Sequence, residues 1–399
     1  MRTYSYKAKL SKYTHVQLDE FLEQQRQLYN AALQERIDCY KKTGVGISAY
    51  DQCKSLTLVR KDIPGFSNFH LHSQRSALLR LDKAYKHFFK LGGYPRFRGY
   101  GRVRSFEASG IKPTFKDRYG SVKIKGIGRF RWRLDNRCTK AQVKLVRIVK
   151  QPRGVYVQLV CEVEPQVKGA DAPIGIDVGV KAMAVLSNGT MIPKRTVDNS
   201  KKKPLQRKVA RAQKGSNSRR KKVIALSKEC FRQTVRHRND LHALTTAIVL
   251  HHGKYVAVEN LLIKNLTAHG GNHKRGLNRS ILEQNWGQFI QQLAYKAESA
   301  GGKLVKVDPN NTTQRCSTCD ALPQVKLTLA DRWFYCSTCG HSEDRDINAA
   351  KNILLKGLEA LNLGGSIPGA WVEGRETERT GAPSTQNSSL SESLWHLGI

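Results

Sequence analysis

Ile174-Gly175-Ile176-Asp177-Val178-Gly179-Val180 is apolar on both faces of a strand except for one carboxylate. Such a run belongs in the middle of a covered sheet, where an acid is costly unless it is ionised beside a cation or hydrogen-bonded. A second apolar strand, Tyr255-Val256-Ala257-Val258-Glu259-Asn260, ends on Glu259, which can therefore share the edge of the sheet with Asp177. Asp346 opens a helix in Asp344-Arg345-Asp346-Ile347-Asn348-Ala349-Ala350, where the helix N-terminus favours negative charge. Asp344 is the nearest rival to Asp346, and spacing does not separate the two.

The elements around these acids follow a definite order. Strands are expected at about 174–180, 182–187 and 190–193, with Asn188-Gly189 as a hairpin turn. A helical region at about 204–250 follows, then a strand at 254–258, a helix at 281–299, a strand at 303–307 and a helix at 346–361. By analogy of fold alone, this is the order of an RNase H-like nuclease domain. Three acids from two strands and a helix end can converge on two divalent cations, which polarise a phosphodiester, activate water and stabilise the leaving oxygen. One acid at a helix start is most often a cap, and one ending a strand is usually solvated. The joint placement of Asp177, Glu259 and Asp346 is what points to metal.

Cys316-x-x-Cys319 and Cys336-x-x-Cys339, with sixteen residues between the pairs, can close a tetrahedral zinc site. Four thiolates fill the coordination of zinc, so this ion is structural, and His341 lies outside the set. The scattered Cys39, Cys53, Cys138, Cys161 and Cys230 read as ordinary buried thiols, and no disulfide scaffold is implied.

Of the 399 residues, 69 are Lys or Arg and 32 Asp or Glu, a formal charge of +37, and 39% are apolar. That length and composition support two or three domains with real cores and exclude disorder throughout. No apolar run reaches the roughly 18–20 residues needed to cross a bilayer, and the start lacks a signal peptide's apolar stretch. A soluble, cytoplasmic protein with a polyanionic partner is expected, nucleic acid first and no membrane.

Two segments could provide the contact. Lys201, Lys202, Lys203, Arg207, Lys208, Arg211, Lys214, Arg219, Arg220, Lys221 and Lys222 form a run with no acid between them, a rail for phosphates on a helical hairpin. Tyr94, Arg96, Phe97, Arg98, Tyr100, Arg102, Arg104 and Phe106 interleave rings and guanidinium groups. They suit either stacked bases or a basic strand with buried aromatics. Ahead of and between these lie a helix at 14–42 with a Thr14/Gln17 capping box and Gly44 as its stop, and a helix at about 69–91. Period-two strands at 121–164 read as a barrel that the helices interrupt, and 165–173 as a linker. After about 364 the chain, with net charge −2, reads as a disordered tail.

Gly175-Ile176-Asp177-Val178-Gly179, Val258-Glu259-Asn260-Leu261, the four cysteines and the 344–350 segment together resemble the TnpB family of transposon-encoded RNA-guided nucleases, relatives of Cas12. Thr312-Thr313-Gln314-Arg315-Cys316, Asp331-Arg332-Trp333-Phe334 and Tyr94-Pro95-Arg96-Phe97-Arg98 extend the likeness, which spans about residues 5–360. Ala182-Met183 departs from the residues common there. The resemblance implies an α/β multidomain chain. A wedge-like β-barrel (1–13 and 93–168) would carry an inserted helical recognition lobe (14–92). A RuvC nuclease domain (169–310 and 341–363, basic insertion at about 200–250) would carry a zinc ribbon (311–340), with the tail at 364–399. It implies Asp177, Glu259 and Asp346 as catalytic ligands of two Mg²⁺ ions, or Mn²⁺ in their place. It further implies one chain per guide RNA, and a double-stranded DNA target read beside a short flanking motif. The alternatives are a catalytically silent RNA-guided repressor and a compact Cas12f-type CRISPR effector.

Overall fold

The computed structural model describes residues 2–135, 142–162, 169–268, 271, 274–328 and 330–361. The expected tail, residues 165–168 of the linker and Cys138 lie outside them. The chain forms two compact units, residues 1–165 with 198–239, and residues 166–197 with 240–399. No helix among the described residues is long and apolar enough to cross a membrane.

In the first unit β1 (Arg2–Lys7) precedes α1 (Lys12–Thr43), α2 (Ala49–Asp62) and α3 (Leu71–Leu91). Helix α1 starts a turn earlier than expected, because Ser11 is the cap and its hydroxyl accepts from the Thr14 amide at 3.1 Å. Gly44 closes the helix in the left-handed region, as its position suggested. The three helices bury Tyr29, Leu33, Leu56, Leu78 and Leu81 among themselves. Strands β2 (Ser105–Ala108), β3 (Thr114–Lys116), β4 (Tyr119–Ile124), β5 (Gly128–Arg133), β6 (Gln142–Gln151) and β7 (Gly154–Glu162) follow.

These strands make two antiparallel sheets, β1-β7-β6-β2 and β3-β4-β5, joined by a bridge between Lys9 and Arg131. Val155, Val157, Leu159 and Cys161 alternate inward from β7, and the sheets share one core with Phe21, Phe106, Phe130 and Trp132. Of the cysteines expected to be buried, Cys161 is; Cys39, Cys53 and Cys230 are only half-buried, Cys53 packing at the margin of the helical core. The basic run folds as α4 (Lys202–Ala210) and the start of α5 (Asn217–Ala247), divided at Gly215, whose φ is 87°.

The second unit is built on a five-stranded sheet of order β10-β9-β8-β11-β12. Strands β8 (Pro173–Asp177), β9 (Ala182–Leu186) and β10 (Met191–Pro193) are antiparallel; β11 (Tyr255–Glu259) runs parallel to β8, and β12 (Lys303–Val307) parallel to β11. Strand β8 ends at Asp177, three residues short of expectation. Helices α6 (Ile263–Ala268), α7 (Lys274–Gln284) and α8 (Trp286–Ser299) follow β11, with a break at Asn285, whose φ of 55° divides the helical stretch there. The hairpin β13 (Trp333–Tyr335) and β14 (Ser342–Asp344) leads into α9 (Arg345–Ala360). Ile174, Ile176, Val256 and Val258 meet Phe289 and Leu293 in the core beneath the sheet.

Two glycines bring α9 onto the sheet. A Cβ at Gly175 would stand 2.1 Å from the carbonyl oxygen of Ala350, and one at Gly357 would stand 2.3 Å from the Cβ of Ala257. The helix therefore rests on the backbone of β8 at one contact and on β11 at the other, two strands that themselves end in acids.

Candidate metal-binding sites

Strands β8 and β11 run parallel with Ile176 opposite Val258, so Asp177 and Glu259 leave the sheet at the same edge. Asp346 lies in the first turn of α9. The carboxyl of Asp177 is pushed up to about 7, first by burial and then by the negative charges of Glu259 and Asp346. Arg345 and the Val178 amide oppose that rise. Part of its surface stays accessible although most sides face protein. Glu259 is buried, which raises its carboxyl, while the Thr312 hydroxyl and the Lys356 charge pull it back. Burial and like charges both disfavour the ionised form of an acid at such a strand end.

Asp344 and Asp346 sit in different surroundings. Asp344 caps α9, its Oδ1 accepting from the amides of Asp346 at 2.8 Å and Ile347 at 3.3 Å. The Asp346 carboxylate is turned elsewhere, with Arg345 at 3.5 Å and Arg332 at 3.9 Å, and its charge is the one that acts on Asp177.

Hard carboxylate oxygens, one of them raised by its acidic neighbours, fit a divalent cation that supplies the missing positive charge. The three acids do not form a tight single-ion cage. Among the described residues, the one group whose donor atoms all lie within 4.8 Å of one another is Cys316, Cys319, Cys336 and Cys339. A pair of ions about 4 Å apart needs ligands spread on either side of it rather than one compact shell.

The cysteines fit zinc. Sγ of Cys316 lies 3.6 Å from that of Cys339, and Sγ of Cys319 lies 3.5 Å from that of Cys336. Zn–S bonds of about 2.3 Å at tetrahedral angles separate sulfurs by about 3.8 Å. Both knuckles close through their own backbone: the Asp320 amide donates to Cys316 O at 3.0 Å, and the Gly340 amide to Cys336 O at 2.9 Å. Amides of Cys339 and Thr338 draw the Cys336 thiol down to about 6 against burial. His341 is not in the cluster; its Nε2 meets Glu343 at 2.7 Å.

Several residues around these centres carried no sequence expectation. Thr312 hydrogen-bonds Glu259 through its hydroxyl, and Asn348, Asn352 and Lys356 project from α9 onto the backbone of 308–317. The available signal was a polar residue at every fourth position of an otherwise apolar helix face, which is one stripe.

The nucleic-acid candidates lie in the first unit. Residues 94–104 form no strand, and Tyr94, Phe97 and Tyr100 are exposed, so the alternative of a strand that buries these rings does not hold; only Phe106, in β2, goes into the core. Arg96, Arg98, Arg102 and Arg104 are exposed too. The Arg98 guanidinium carbon stands 5.3 Å from the centre of the Tyr29 ring. In the basic run Lys201, Lys203, Arg207, Lys208, Arg211, Arg220 and Lys221 are exposed, and Lys202 and Lys222 half-buried. Arg219 is committed to the turn, donating to Val209 O at 2.7 Å and Ala212 O at 3.1 Å.

The structure thus combines a mixed five-stranded sheet, acids at the ends of two neighbouring parallel strands, a third acid on the abutting helix and a four-cysteine cluster before it. Comparison with known proteins gives the family. A family model described as "Probable transposase" matches residues 157–269, and one described as "Cas12f1-like, TNB domain" matches 286–353. "Putative RNA-guided DNA endonuclease InsQ" of Escherichia coli (strain K12) is 32% identical over 309 residues, 73% of this chain and 75% of that protein. "Putative RNA-guided DNA endonuclease" of Streptomyces pristinaespiralis is 30% identical over 376 residues, 90% of this chain and 89% of that one. A cryo-EM structure of a Cas12f1-sgRNA-target DNA complex has a similar fold, with a TM-score of 0.59 and 15% identity over 86% of this chain and 82% of that chain. The chain belongs to the TnpB family of transposon-associated nucleases.

Proposed function

We propose that the protein is an RNA-guided DNA endonuclease of a transposable element, cutting at a RuvC-like site with two Mg²⁺ ions held by Asp177, Glu259 and Asp346. The observation that carries this reading is that Asp177 and Glu259 leave neighbouring parallel strands at one edge of the sheet, with Asp346 in the first turn of the abutting α9. When bound, the ions would polarise the scissile phosphate and lower the pKa of an attacking water. The protein's own part is to keep the three carboxylates apart and oriented on two strand ends and a braced helix. In the absence of a countercharge, Asp177 holds a proton up to about pH 7 and so relieves part of the repulsion.

On this reading the second unit is the nuclease domain with its zinc ribbon, and the sheets and helices of the first are a wedge-like barrel and recognition lobe. The four cysteines would hold one structural zinc. The exposed rings and guanidinium groups of 94–104 and the basic face of α4 and α5 would hold the guide RNA and its hybrid with DNA. Base pairing would select the target, and the protein would read only a short flanking motif. The match to the family model described as "Probable transposase" favours the transposon setting over a CRISPR one.

The test uses protein purified with its co-expressed RNA. Plasmid carrying a guide-matched site and flank is cut with Mg²⁺ and spared with EDTA, and Asp177→Ala abolishes cutting while retaining DNA binding. Cutting by Asp177→Ala at the wild-type rate refutes the assignment.

A further inference from the structure

We propose that Thr312 is a positioning residue for Glu259, and that α9 keeps Thr312 in place through Asn352. The proposal rests on the nuclease reading above, since it gives Glu259 a cation to bind.

Thr312 is 2% exposed and its hydroxyl faces the buried Glu259 carboxylate. The same oxygen lies 3.1 Å from Pro309 O. A hydroxyl has one proton, so the two contacts cannot both be donations from Thr312. With Glu259 ionised, an acceptor only, the proton must point at the carboxylate. With Glu259 protonated, the acid can donate to Thr312 and Thr312 to Pro309 O. The first arrangement holds the form of Glu259 that a cation needs and spends one lone pair on a fixed partner, which sets the direction of the others.

Thr312 is itself held from below. Asn352, 5% exposed, donates through Nδ2 to Thr312 O at 2.8 Å and to Arg315 O at 2.7 Å. Asn348, fully buried, donates to Arg315 O at 2.7 Å and accepts from the Ser317 amide at 2.9 Å, inside the first cysteine knuckle. One turn further on, Lys356 Nζ reaches Asp308 O at 3.1 Å and Asn310 O at 2.6 Å. The i, i+4, i+8 face of α9 thus clamps the segment between β12 and the knuckle, and α9 also carries Asp346. Two of the three acids are located by one element, Asp346 directly and Glu259 through Thr312. The segment between β12 and the first knuckle thus supplies a buried side-chain contact to Glu259.

The test compares Thr312→Val, Thr312→Ser and Glu259→Gln in the full chain with its RNA, reading zinc content, melting temperature, Mn²⁺ affinity by electron paramagnetic resonance, and cutting against Mg²⁺ concentration. Thr312→Val weakens Mn²⁺ binding and raises the half-saturating Mg²⁺ by about ten-fold or more, as expected for loss of a ligand's hydrogen-bond partner. Thr312→Ser restores both to within about two-fold of wild type, and both variants keep one zinc per chain. Asn352→Ala, which frees Thr312 without removing its hydroxyl, weakens Mn²⁺ binding in the same direction and serves if Thr312→Val does not fold. Wild-type Mn²⁺ affinity in Thr312→Val, with Glu259→Gln inactive, overturns this proposal and leaves the nuclease reading standing. Wild-type cutting and Mn²⁺ binding by Glu259→Gln overturns both.

Discussion

Replacing Gly175 with Ala tests how α9 is placed. The added Cβ would lie 2.1 Å from Ala350 O, 2.7 Å from Leu354 N and 2.8 Å from Leu354 Cβ. Two of the three are backbone atoms, so no side-chain rotation relieves them. An ordinary carbon contact begins near 3.5 Å, so α9 must retreat from β8 by about 1 Å. Overpacking of this kind costs about 1–3 kcal/mol, and each kcal/mol lowers the melting temperature of a unit this size by about 2–4 °C. The shift also carries Asp346 away from Asp177, and a misplacement of about 1 Å in a reacting constellation can cost about 10²-fold in rate. Single-turnover plasmid cutting and differential scanning fluorimetry on Gly175→Ala read the two effects separately. Gly357→Ala should behave alike, its Cβ falling 2.3 Å from that of Ala257, and Ala257→Gly in the same chain should restore both readouts. Wild-type cutting and melting by Gly175→Ala refutes the placement of α9 as the determinant of the site.

With its pKa raised to about 7, Asp177 binds a proton in the folded chain that the unfolded chain has released, so between about pH 4 and about 7 stability falls as pH rises. Melting temperature against pH without Mg²⁺ should show this slope, and Asp177→Asn should flatten it; an unchanged slope contradicts the burial argument. Cys316→Ser should drop zinc, measured by inductively coupled plasma mass spectrometry, below one per chain and lower the melting temperature; full zinc content speaks against the cysteine site. The triple change Lys203→Gln, Arg207→Gln and Lys208→Gln should weaken RNA binding and reduce the magnitude of the log–log salt slope by about 2, at roughly 0.7 per lost single-strand phosphate contact, and an unchanged slope removes this face from the contact. Arg219→Ala should instead lower the melting temperature, because its guanidinium closes the α4–α5 turn.

Much of the second unit could be read from residue order. Apolar runs that end in an acid mark strands buried on both faces, and Asn188-Gly189 sets the β9–β10 hairpin, in which Thr190 N donates to the Asn188 side chain at 3.1 Å. The cysteine spacing needed no fold to be recognised. In the first unit α2 was missed, since its sequence buries little beyond Gln52 and Leu56 and carries no strong periodicity. Gly215 is the turn of the expected helical hairpin, whereas the break at Asn285 was hidden by helical composition on either side and shows only in its positive φ. Which of Asp344 and Asp346 turns back to cap the helix is a torsional fact that spacing does not contain. Thr312 was visible only as part of a motif. Its partner Glu259 lies fifty-three positions away and meets it only once β11, β12 and α9 are assembled.

The central claim is that Asp177, Glu259 and Asp346 together bind divalent metal. Anomalous diffraction from crystals soaked in Mn²⁺ addresses it without reference to RNA, target or rate. The account predicts two peaks about 4 Å apart, each about 2.0–2.3 Å from oxygens of these side chains. Mn²⁺ density elsewhere, with all three carboxylates unliganded, would contradict it.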